Sequence, residues 1–118
     1  MIKNQIDLTN HEAKNHSFLD EMYQDEYFPK HLVDKAKSIL VSLCFQIEEV
    51  KPADLKKLYE LTHAATNKFN ELQEEFYEND SEIETVARDC IGMDFDFIAK
   101  AYGFKDADVE ELIATREW

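Results

Sequence analysis

The sequence predicts an all-α protein, an up-down bundle of three long helices with a short helix near each end. Three observations carry this. Glycine and proline number two each in 118 residues, far too few for the turns of a β-sandwich or barrel. Apolar residues recur at three- and four-residue spacing over three long stretches, the period of an amphipathic helix. Each stretch is bounded by residues that start or stop helices. With 44% hydrophobic residues, a chain of this length buries one core without disulfides or metals.

Residues 1–16 are polar and aperiodic, and read as a flexible N-terminal arm ahead of one helical domain spanning 17–118. Ser17, followed by Phe18, Leu19, Met22 and Tyr23, reads as the cap of a short helix near 17–24, with Asp20 and Glu21 suited to its first turn. Pro29 opens the first long helix, about 29–50, because its missing amide proton costs nothing there. Leu32, Val33, Ala36, Ile39, Leu40, Leu43, Cys44, Ile47 and Val50 form its apolar stripe. Val41 and Phe45 lie on another face, a candidate self-association patch unless the N-terminal aromatics cover it.

After Pro52 a second helix, about 53–78, carries Leu55, Leu58, Tyr59, Leu61, Thr62, Ala65, Phe69, Leu72 and Phe76 inward. The short link makes it antiparallel to the first. Ser81 to Glu84 has the S-x-x-E form of a capping box and predicts a third helix over about 81–102. Its apolar positions are Ile83, Val86, Ala87, Cys90, Ile91, Phe97, Ile98 and Ala101, and Gly103 fits a left-handed C-cap. Asp106 reads as the cap of a last helix near 106–116.

Within the third helix the run MDFDFI alternates like a strand. The helical pattern around it is longer and bounded at both ends, so helix prevails. On a helical wheel Asp94 then falls inside the apolar cluster, whereas Asp96 points to solvent. A carboxylate there must find a donor or border a water-filled pocket. Tyr59, Thr62, Thr66 or an N-terminal tyrosine are the candidate donors. A pocket at this point would be walled by Asp94, Cys90, Tyr59, His63 and Tyr27, the last belonging to an aromatic cluster with Tyr23, Phe28 and His31.

The formal charge of −13 is uneven: residues 1–51 carry 9 acids and 6 bases, residues 52–118 carry 17 acids and 7 bases. Such a surface repels phosphate backbones and argues against nucleic-acid binding. A basic protein is the expected partner, and Glu71, Glu74, Glu75 and Glu78 form a candidate acidic docking face on the second helix. The first twenty residues lack a signal-peptide apolar stretch, and no later run approaches a membrane span, so a cytoplasmic protein is expected.

Catalytic and metal signatures are weak. Cys44 and Cys90 form neither a CxxC pair nor a metal spacing and read as buried free thiols. Glu60 and His63 make a single E-x-x-H, but a di-metal bundle needs two and further carboxylates, and both residues turn outward on the wheel. No serine sits in a glycine-flanked elbow and no glycine-rich phosphate loop is present. No catalytic residue, metal or cofactor is assigned.

The strings MYQDEYFPKHLVDK, LTHAATNKFN, SEIETVARD and ELIATREW together resemble an uncharacterised bacterial family of small all-helical proteins, a domain of unknown function, over roughly residues 17–118. The resemblance implies a bacterial, intracellular protein and brings no activity. The functional expectation is a non-enzymatic interaction module, inhibitor- or immunity-like, that offers its acidic face to a cationic partner. The alternative is a small-molecule binder or enzyme with a pocket around Asp94. A homodimer through Val41 and Phe45 is compatible with either.

Overall fold

In the computed structural model, which describes residues 4–118, a 3-10 turn at Gln5–Asp7 precedes six helices. These are α1 (His11–Asn15), α2 (Asp20–Gln24), α3 (Lys30–Val50), α4 (Leu55–Glu78), α5 (Thr85–Ala101) and α6 (Val109–Leu112), and no strand occurs among the described residues. α3 starts directly after Pro29 and ends at Lys51, whose φ of 53° is left-handed. Asp54 caps α4 by accepting the Lys57 amide at 2.9 Å.

Two side-chain contacts fix the helix directions. Lys35 near the start of α3 pairs with Glu75 near the end of α4, so these helices are antiparallel. The Tyr102 hydroxyl at the end of α5 donates to Glu48 near the end of α3, so α5 runs parallel to α3. The result is the expected up-down-up order. Edge-to-face ring pairs knit the core, with Phe69 centred 5.9 Å from Phe95 and 6.0 Å from Trp118.

The sequence pattern misplaces several details. Ser17 caps nothing: α2 begins at Asp20 after Leu19, and its N-cap makes no side-chain bond. Ser81 is buried and its hydroxyl donates to the Tyr27 carbonyl at 3.2 Å, so α5 starts later, at Thr85. Asp108 rather than Asp106 caps α6, accepting the Glu110 amide. Val86 is exposed, while Phe95, spaced four from Ile91 and three from Ile98, is fully buried. Gly103 behaves as expected. With φ of 92° it closes α5 through paired bonds from its own amide to Lys100 and from Phe104 to Ala99.

Residues 4–16 of the expected arm lie against the helices, while residues 1–3 fall outside the described residues. Leu8 and Ala13 are buried. The Asn10 side chain caps α1 through the Ala13 amide and also donates to the Ala101 carbonyl at 2.8 Å. The Gln5 amide donates to the carbonyls of Ala13 and His16.

Candidate functional site

α5 is buried on more than one side. Ile91, Phe95 and Ile98 face the core, Cys90 and Asp94 face the segment running into α2, and Gly92 lies under α6. Asp94 is only 7% exposed, so its carboxylate requires partners. It has two. His16 Nε2 lies 2.8 Å from Oδ1, and the Leu19 amide donates to Oδ2 at 2.7 Å. An ionised carboxylate only accepts, so Nε2 carries the proton when Asp94 is charged. Leu19 is itself buried and left-handed at φ 56°, a strained state for a branched side chain, and the bond to Asp94 holds it there.

Burial pushes the Asp94 carboxyl above its usual range, and the bonds from His16 and Leu19 offset only part of this. The His16 imidazole stacks on Phe97 at 3.8 Å between centroids, with Phe18 edge-on at 4.7 Å. Of the expected wall residues, Cys90 feels the Asp94 charge, which adds to the burial that raises its thiol. Tyr59 accepts the Asp108 amide, His63 reaches the Glu111 carbonyl at 2.7 Å, and Tyr27 is exposed beside Glu82 and Glu84. None of the anticipated donors reaches Asp94. Burial pushes the Cys44 thiol up to about 12 and the Cys90 thiol up to about 11, so neither supplies a thiolate near neutral pH. Asp94 works as a brace between α5 and the turn into α2.

A second carboxylate holds the same N-terminal segment. Glu48 on α3 accepts the amides of Thr9 and Asn10 at 2.9–3.1 Å and the hydroxyl of Tyr102. Burial pushes its carboxyl up, but those donors together outweigh it and leave Glu48 below the ordinary carboxylate value.

A surface groove of about 820 Å³ lies on the opposite flank of α5 from the brace. Gly92, Met93 and Phe97 from α5 meet Val109 and Ile113 at its apolar base, and Asp94 is not among its walls. Met93 is 68% exposed, an unusual placement for so apolar a side chain inside a concave surface. Gly92 packs beneath Ile113 and Val109, where a Cβ would meet them at ordinary contact distances of 3.7 and 3.8 Å. Arg88 and Arg116, the only arginines in the chain, both line this groove.

The other predicted surfaces are also placed. Glu71, Glu74 and Glu78 are exposed on α4 with no counter-ion among the described residues, whereas Glu75 is taken by Lys35. Val41 is 8% exposed and Phe45 half-buried, beside a second groove that Asn4, Gln5 and Ile6 also line. Among the described residues no group of histidine, cysteine or acid side chains suits a metal ion, and no helix is long and apolar enough to cross a membrane.

The class of protein defined here is all-helical, with a buried carboxylate brace and a two-arginine groove. The chain belongs to a family of unknown function (DUF5713), whose family model matches residues 12–118 and so takes in His16, Asp94 and the whole groove. Nothing matches it among curated proteins or solved structures.

Proposed function

We propose that this protein is a non-enzymatic interaction module that binds a basic protein through the C-terminal half of α4. One observation carries the reading. Glu71, Glu74 and Glu78 share a helix face, lack counter-ions among the described residues, and flank Tyr77, which is 52% exposed. An exposed aromatic among unpaired carboxylates has the composition of a docking patch: an anchor with a charged rim. The field around it speeds encounter with a cation and selects against acidic competitors.

The buried thiols and the brace role of Asp94 agree with a binding role rather than catalysis at the α5 core. The test uses a defined lysine-rich peptide and amide NMR. Shifts should concentrate around residues 71–80, weaken with salt, and vanish in a Glu71→Lys, Glu74→Lys, Glu78→Lys variant. Reversing three other exposed acids, Asp106, Glu110 and Glu111, should leave most of the binding. Equal loss from both reversals would show that net charge, not this face, drives the contact.

A further inference from the structure

We infer that the groove between α5 and α6 is a binding site for an amphipathic monocarboxylate, a molecule with one carboxylate and an extended apolar tail. This site is separate from the acidic face of α4 and does not depend on it. In a chain of formal charge −13 with two arginines, both arginines line one apolar groove.

Their states differ. Arg116 is paired with Glu110 at 3.2 Å. Arg88 has no ion pair or side-chain hydrogen bond among the described residues, and its Nε is buried without an acceptor. Its guanidinium is thus left without a counter-charge, and its terminal nitrogens take a carboxylate entering the groove in charge-assisted bonds. The acids around the groove are largely committed elsewhere: Asp96 to Lys100 at 2.6 Å, Glu110 to Arg116, and Asp108 to the cap of α6. Glu12 and Asp89 also line the groove, exposed to solvent that screens their repulsion of a single carboxylate, and they disfavour a second negative charge more strongly.

The apolar base sets the tail. Along α5 the lining runs from Arg88 to Ala101, which at the helical rise spans about 20 Å. Met93 offers a flexible, polarizable surface along this path, suited to an alkyl chain. Phe97, held from behind by the stacked His16 ring, gives the wall a fixed edge. A volume of about 820 Å³ falls within the range of small-molecule sites.

The experiment titrates the full-length protein with myristate and with tetradecanol, both below their aggregation limits, and follows the Met93 and Ile113 methyl signals by NMR. Myristate should shift both and bind at least about tenfold more tightly than the alcohol, the effect of one charge-assisted hydrogen bond. Arg88→Gln should remove that preference while leaving tetradecanol binding unchanged, which separates a lost contact from a lost fold. Met93→Asp, at an exposed position, should weaken both ligands. The inference is overturned if the alcohol binds as tightly as myristate, if Arg88→Gln keeps the preference, or if a long-chain trimethylammonium binds more tightly. It is also overturned if the methyl shifts come from concentration-dependent dimerisation without any ligand.

Discussion

Asp94 and Glu48 do the same job with opposite electrostatics. Each is a carboxylate on a long helix that ties down the N-terminal quarter of the chain: Asp94 takes the Leu19 amide and the His16 ring, Glu48 the amides of Thr9 and Asn10. Asp94 is raised by burial despite its partners, while Glu48 is lowered because donors outweigh burial. The number of donors relative to the depth of burial decides the sign. A brace in the interior is therefore held by geometry and carries a solvation cost when charged. A brace near the surface is stabilised by its charge.

The largest effect expected from this contrast is at Asp94. Asp94→Ala leaves the Leu19 amide and the His16 ring without their acceptor and should cost about 2–3 kcal/mol in chemical denaturation. Asp94→Asn should cost under about 1 kcal/mol, because its oxygen still accepts from Leu19, its side chain keeps the same shape beside His16, and the buried charge is gone. If the two variants lose equal stability, the charge rather than the geometry of Asp94 holds the brace. Hydrogen exchange at residues 4–19 gives a local reading of the same pair, since Asp94→Ala should speed it well before the core helices respond.

The opposite shifts also predict opposite pH responses. Glu48 is depressed below its ordinary 4.5, so its contribution is present above that value and is lost as pH falls through the lower folded value. Asp94 is raised above its ordinary 3.8, so its contribution is full below that value and is lost as pH rises through the higher folded value. Between about pH 5 and about pH 3, the stability advantage of the wild type over Glu48→Gln should shrink. Its standing relative to Asp94→Asn should improve over the same range. Denaturation midpoints of the three proteins at several pH values decide this, and two differences moving in the same direction would dissolve the contrast.

The fold was legible because it rests on local periodicity: the stripes of α3, α4 and α5 and the turn at Gly103 all depend on neighbours within one or two turns. The odd position of Asp94 was visible for the same reason. Its partner was not, since His16 lies 78 positions away in a stretch without apolar rhythm, and nothing in local spacing ties it to α5. Glu48 likewise reads as one acid on a solvent face until Tyr102 and the Thr9 and Asn10 amides converge on it. The cap at Ser81 failed because a tertiary contact, the bond to the Tyr27 carbonyl, claimed its side chain. The groove had one available signal, the scarcity of arginine, but only the packing of α6 on Gly92 brings Arg88 and Arg116 to the same surface.

Beside each brace stands a residue with positive φ, and these two positions give the smallest test of the comparison. Leu19, at φ 56°, is fully buried, so its strain is offset by packing and by the bond to Asp94. Lys51, at φ 53°, is exposed at the C-cap of α3, three residues from Glu48, and its side chain packs into no core. Glycine adopts this region without the Cβ clash, and the gain exceeds its extra chain entropy at an exposed cap. Lys51→Gly should therefore stabilise the protein by about 0.5–1 kcal/mol, whereas Leu19→Gly should destabilise it by emptying a core position. Thermal denaturation of both variants checks the sign. A loss of stability from Lys51→Gly would mean that the lysine side chain itself supports the Glu48 end of the bundle.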